Sequence, residues 1–400
     1  MQLLRGGSVA TRRGTRRLLV LVSAVVFVDT IFYTAITPLL PHYAAQLHLS
    51  KSAAGILVAA YPAGTLIGAL PGGLFASRIG VRSSVVTGLS FMSAATLVFG
   101  FAHSEALLDA ARLVQGLGGA CTWAGGLAWL TAGVPADRRA RTLGVAFSAA
   151  VGGALFGPAV GALASRVGTG PTFAGATVFG ALLVVSSLFV ETTRGEESQS
   201  LRAAFVAVGD PSLIAGMWLT FLAGLAFGVV DVLSPLRLAH LGASALVIGA
   251  AFLGAAAIEA VLAPLVGRLA DRRGRSLPVR LSVAAAVVVS LLLPLASPAG
   301  ALVAVLVVGL PAYGALYVPA AALVSDGARR RLLHQGLGFG LSNLAWAGGQ
   351  ALAAAGSGAI AQATSDLVPY AVLAGFSALT LLLVVLGGRR LVERAGMSSP

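Results

Sequence analysis

Charged side chains are scarce in this 400-residue chain: Asp, Glu, Lys and Arg together make 10%, against about a quarter in a typical soluble domain. Hydrophobic residues reach 57% and the mean hydropathy is +0.92. A soluble surface cannot be built from so few charges without large apolar patches. The single cysteine, Cys121, excludes internal disulfides, Cys-rich zinc sites and iron–sulfur clusters. The single lysine, Lys51, follows Ser50 rather than Gly, so no GxxxxGK[ST] phosphate loop exists. That argues against ATP-driven pumping by this chain. HExxH and GxSxG are also missing, and the chain does not read as an enzyme. The net charge of +13 does not mark a nucleic-acid binder, because the arginines flank apolar runs instead of forming a basic domain. No cofactor and no metal is expected.

What is abundant is uncharged length. The 45 residues between Arg280 and Asp326 carry no formal charge, about 67 Å of helix at ~1.5 Å per residue, enough to cross a ~30 Å hydrocarbon core twice. Runs of this kind, bounded by charges and Gly/Pro turns, predict twelve spans near 18–40, 53–76, 84–102, 106–132, 141–165, 171–190, 212–236, 244–267, 278–296, 299–324, 333–361 and 368–388. Span 1 is too long for a signal peptide and holds Asp29, so it reads as an uncleaved first crossing. With the N-terminus placed in the cytoplasm, 23 of the 27 Lys and Arg fall on inner segments. Lys51, Arg166 and Arg237 fall on outer ones, and Arg112 lies inside a span. The positive-inside rule then gives both termini cytoplasmic. A predominance of arginine over lysine suggests a GC-rich bacterium and its inner membrane.

The chain also repeats itself. At an offset of 194 residues Pro41 falls on Pro235, Leu47 on Leu241, Gly55 on Gly249, Gly73 on Gly267, Arg78 on Arg272 and Gly80 on Gly274. The expected fold is therefore an all-α membrane protein of twelve helices in two pseudo-symmetric six-helix bundles. The halves are residues 1–190 and 212–400, joined by a cytoplasmic linker over 191–211. Parallel repeats of this kind mark transporters whose site lies between the halves near the bilayer midplane.

GGLFASRIGVR (72–82) and GRLADRRGR (267–275) resemble the loop signature after spans 2 and 8 of the major facilitator superfamily. ARLVQGLGGA (111–120) resembles its span-4 arginine motif, and GGALFGPAVG (152–161) the span-5 motif of its drug:proton antiporter branch. FVDTIFYTAITPLLPHY (27–43) and VVDVLSPL (229–236) are similar to spans 1 and 7 of the vesicular monoamine transporters and their bacterial drug-efflux relatives. The resemblance covers nearly the whole chain and implies the major facilitator fold and transport by alternating access. It assigns gating to Gly73, Arg78, Gly80, Gly267, Asp271, Arg272 and Gly274. Gly153, Gly157, Pro158 and Gly161 would seal span 5 against span 8; packing glycines are the plainer alternative. Ser77 stands where the first loop signature normally has Asp, and Asn343 where the monoamine-type pattern has an acid.

The remaining chemistry sits inside the spans. Asp29 falls near the bilayer centre, where a carboxylate is costly unless it meets water, a partner or a proton. Tyr33 extends its stripe at i+4. Span 4 places Arg112, Gln115 and Trp123 on one face, with Arg112 at a depth that reaches Asp29; snorkelling to the outer interface is the alternative. Asp231 in span 7 is a second acid, either functional or paired to Arg237. Glu259 in span 8 is a third, with no motif behind it. Tyr313 and Tyr317 in span 10, and Asn343, Trp346 and Gln350 in span 11, form aromatic and amide faces suited to flat organic molecules or to ordinary interhelical bonding. The reading is a monomeric, proton-coupled exporter of small cationic or amphiphilic molecules. Asp29 would release a proton inward and accept the substrate. Export of a neutral sugar or secondary metabolite, or a receptor without transport, are the alternatives.

Overall fold

The structure is a computed structural model, and it describes residues 12–134, 139–192, 206–333 and 335–386. Most of the 191–211 connection and the C-terminal arginines lie outside the described residues, as does the side chain of Asp271. The described chain is helical throughout: α1 (Arg12–Thr34), α2 (Leu40–Gln46), α3 (Lys51–Ile79), α4 (Val81–Phe101), α5 (Glu105–Gly133), α6 (Arg139–Val167), α7 (Thr169–Leu188), α8 (Pro211–His240), α9 (Ala245–Arg273), α10 (Ser276–Leu292), α11 (Ala299–Gly314), α12 (Tyr317–Arg330), α13 (Gln335–Ala363) and α14 (Leu367–Leu386). In hydrocarbon a crossing segment must satisfy its own backbone, which is why such apolar runs become helices. Nine stretches, one of them α11 and α12 taken together, are long and apolar enough to cross by length and composition alone. The other three crossings are α10, of 17 residues, and α5 and α13, which carry much of the polar chemistry described below.

Twelve crossings result because two spans are broken, each by proline. Pro38 has no N–H to offer the carbonyl of Thr34. The N–H of Thr37 turns back to that carbonyl at 3.3 Å, so the carbonyl of Tyr33 loses its usual helical donor. Span 1 thus divides into α1 and α2. In span 10 the N–H of Leu316 bonds the carbonyl of Tyr313 at 3.2 Å instead of that of Ala312, and Pro319 cannot donate to Ala315. Span 10 thus divides into α11 and α12.

The 194-residue repeat is visible in the coordinates. α3 and α9 have the same length and begin and end at equivalent positions. Ser50 caps α3 by accepting from Ala53 N, and its mate Ser244 caps α9 by accepting from Val247 N. Gly80 and Gly274 close the same two helices at φ +97° and +76°, a region only glycine enters cheaply.

α1–α7 form one six-crossing bundle and α8–α14 the other. Apolar side chains such as Phe179 and Leu182 on α7 and Leu382 and Leu383 on α14 stand exposed, as a lipid-facing surface requires. Between the bundles, α3 lies against α13. At the arginine-poor end a Cβ on Gly55 would lie 3.2 Å from the Cα of Gly358, so the two backbones nearly touch. Lys51 pairs there with Asp366, and Ser52 N donates to Gln362 Oε1 at 3.0 Å. Gly249 of α9 meets Pro158 and Ala162 of α6 at the same end. Eighteen residues further along α3 the helices have splayed: Gly73 and Gly340, which face each other in register, have nothing within 4 Å of an added Cβ. The bundles are closed at the arginine-poor end and open at the other.

Candidate functional site

Where the bundles still meet, the side chains of α1, α3, α5, α8 and α13 converge. Asp29 of α1 is 2% exposed. Its Oδ1 accepts from the Tyr61 hydroxyl at 2.8 Å and its Oδ2 from the Trp123 indole N–H at 2.6 Å. Gly119 makes room for this: a Cβ there would stand 2.7 Å from Asp29 Oδ1 and 2.8 Å from the Tyr61 hydroxyl.

Arg112 is 1% exposed and buried within the bundle, not snorkelling. It acts on Asp29 through its charge, with no hydrogen bond or ion pair between the two among the described residues. Its guanidinium instead donates to the carbonyls of Phe32 at 2.8 Å and Tyr33 at 3.0 Å, and to Gln115 Oε1 at 3.2 Å. These two carbonyls close α1, and one of them was released by the Pro38 break. The planar fork of arginine suits two neighbouring acceptors, and a cation at a helix C-terminus is favourable. Gln115 is held in turn by Thr96 at 2.9 Å. The Arg112 guanidinium also lies 4.9 Å from the centre of the Tyr61 ring.

Tyr33 bridges the bundles. Its ring centre is 5.1 Å from that of Tyr61 and 5.3 Å from that of Trp346 on α13. Its hydroxyl donates to Asp231 Oδ2 on α8 at 3.4 Å. Gln350, fully buried, donates its amide to Asp231 Oδ2 at 3.2 Å and also meets the Tyr33 hydroxyl. Asp231 is therefore not the partner of Arg237, which donates to the carbonyls of Pro294 and Ala296. Trp346 reaches toward the Tyr317 hydroxyl, and Tyr317 stacks on Phe227 with ring centres 6.3 Å apart. Glu259 of α9 is half-buried, its carboxylate lying on Gly314 where a Cβ would otherwise be.

Other expected residues lie elsewhere. Tyr313 is fully buried and bonds Ser290 at 2.8 Å, so it faces α10 and not the cluster. Asn343 sits half-buried toward the open end, two turns before Gln350. The glycines of the α6 motif do not seal against α9. Gly153, Gly157 and Gly161 abut Phe27, Thr30, Thr34, Ala35 and Pro38, the stretch of α1 that runs into its break. The contact with α9 is made by Pro158 and Ala162. Of the loop residues, Arg78 and Arg272 are exposed at the open end, and a Cβ on Gly267 would find only Val318, at 3.9 Å. Tyr61 escaped the sequence reading because it stands in an apolar stretch with no charged residue near it. Its signal was the neighbouring Pro62 inside a helix that otherwise carries no aromatic until Phe75.

Two bundles, closed at one end, thus surround a polar, aromatic midsection. Residues 22–333 match the Major Facilitator Superfamily, and the chain belongs to that family. It is similar to a probable vesicular acetylcholine transporter-B of Danio rerio, 30% identical over 169 residues, covering 40% of this chain and 34% of that protein. It is also similar to multidrug resistance protein 1 of Bacillus subtilis (strain 168), 26% identical over 169 residues, covering 42% and 43%. The aligned stretches thus span about a third to two-fifths of these relatives. The fold matches that of a bacterial homolog to the human lysosomal transporter Spinster in an inward-facing and occupied conformation. The TM-score is 0.75 with 15% identity, over 95% of this chain and 98% of the other. The protein is a multi-pass membrane protein of this transporter superfamily.

Proposed function

We propose that this transporter exports small organic cations in exchange for protons across a bacterial inner membrane, as a monomer, with Asp29 as the coupling carboxylate. The observation that carries the reading is the state of Asp29: nearly sealed from solvent, bonded by two neutral donors, and given no ion pair because Arg112 is engaged by backbone carbonyls. A carboxylate charge without an ion pair at that depth is costly, and taking up a proton removes it. The arginine-rich end is cytoplasmic in this reading, so the chain rests open to the cytoplasm. Residues 1–190 and 212–400 then rock about the fixed site. One charge moved through 100 mV supplies ~2.3 kcal/mol, about a fifty-fold gradient per proton. Relatives named for acetylcholine and for multidrug resistance support the cationic and drug-like choice.

The test is Asp29→Asn in inverted vesicles loaded by an imposed proton gradient. Asn keeps the shape and cannot exchange a proton. Uphill accumulation of ethidium should disappear while downhill exchange persists. Uphill transport by the variant at wild-type rate would sink the reading.

A further inference from the structure

Glu259 is the acid without a motif, and its surroundings are unlike those of the other two. Asp29 and Asp231 each accept two hydrogen bonds. Among the described residues no hydrogen-bond donor and no ion pair meets the Glu259 carboxylate. It rests on Gly314, the last residue of α11. That is the carbonyl end of a helix, which carries partial negative charge. The break deepens this, because Ala312 has lost the N–H of Leu316 and Ala315 faces Pro319. Side chain and helix end therefore bring the same sign of charge to one region, and no described residue pairs with the carboxylate there.

Aromatic faces complete the surroundings. Tyr317 opens α12 directly after the break and feels both Glu259 and Asp231. Phe227 stacks on it, and Trp346 reaches its hydroxyl. Hard metal ions need many oxygen ligands, and no group of three or more metal-ligating side chains exists among the described residues. One carboxylate beside aromatic rings suits instead a large, weakly hydrated organic cation, through charge and cation–π attraction.

We propose that Glu259, at the break between α11 and α12, is the docking carboxylate for the charged group of a cationic substrate, and that Asp29 is left as the proton carrier. This rests on the export reading above but divides its two tasks between the two bundles. The sequence alone had given both to Asp29.

The experiment is binding of tetraphenylphosphonium to the purified full-length chain. Glu259→Gln is isosteric and should weaken binding by about tenfold or more, as loss of a charge-assisted contact would. Glu259→Asp keeps the charge and should recover part of the loss. Gly314→Ala sets a methyl where the carboxylate lies and should weaken binding while Glu259 itself is intact. Asp29→Asn should weaken binding less than Glu259→Gln does. Wild-type affinity in Glu259→Gln, or a larger loss in Asp29→Asn than in Glu259→Gln, would overturn the assignment and leave the export reading standing. No tetraphenylphosphonium binding by wild type would overturn both.

Discussion

The two broken spans invite comparison, since proline opens each of them and the outcomes are opposite. Between α1 and α2 the released carbonyl end is met by Arg112, whose fork binds Phe32 and Tyr33 while Gln115 and Thr96 hold it from behind. Both carbonyls at that break are met from within the first bundle. Between α11 and α12 the carbonyl end is met by Glu259, an acid, with no donor supplied. The backbone defect is the same, and the neighbouring side chain decides its use. A cation on the adjacent helix makes a rigid, finished structure, whereas an anion leaves a place for a ligand to complete. Discontinuous helices let membrane proteins expose backbone polarity to a ligand without exposing it to lipid.

The comparison breaks first at Gly157. A Cβ there would enter the space of Thr34 Oγ1 and lie 3.0 Å from the carbonyl of Ile31, immediately before the α1 break. Gly157→Leu should therefore remain in the membrane and lose uphill efflux altogether. Normal transport by that variant would show the first break to be soft, not finished. A smaller effect sharpens the role of Arg112. Arg112→Lys keeps the charge but replaces the planar fork with a point donor, so one carbonyl goes unmet at a cost of about 1–3 kcal/mol. Efflux should fall by about tenfold to a hundredfold and the melting temperature should drop. Equal activity would mean that charge alone matters there.

The smallest effect is expected at the clasp between Lys51 and Asp366, whose side chains are 41% and 23% exposed. Exposed pairs contribute about 0–1 kcal/mol. Lys51→Ala should change the efflux rate by no more than about fivefold. A much larger change would move control of opening from the breaks to the clasp.

Most of the fold was legible because hydrocarbon leaves the chain so few options. Uncharged length marked the crossings, and the 194-residue offset paired Gly80 with Gly274, which do identical work, while the matching caps Ser50 and Ser244 emerged only in the structure. The breaks were less legible. Pro38 and Pro319 stand in view, but a proline within a span says nothing of which carbonyl is freed or what will meet it. Arg112 was singled out as a charge within reach of Asp29, but its backbone partners were not legible, because periodicity places a side chain on a face and cannot say what it bonds. The α6 glycines failed for a related reason: their spacing shows that something packs closely, while the choice between α1 and α9 depends on how the helix is rotated. Tyr61, an uncharged residue in an apolar run, became visible only once Asp29 was seen to need a second donor.

Lys51 carries one more consequence. It is the only lysine in 400 residues, so an amine-directed reagent finds a single side-chain target on the whole protein, and that target is one jaw of the closed end. Acylation would cancel its charge and disengage Asp366 in one step. The unmodified chain thus comes with a built-in chemical handle, through which the fraction of molecules closed at that end can be read, or shifted, without altering a codon.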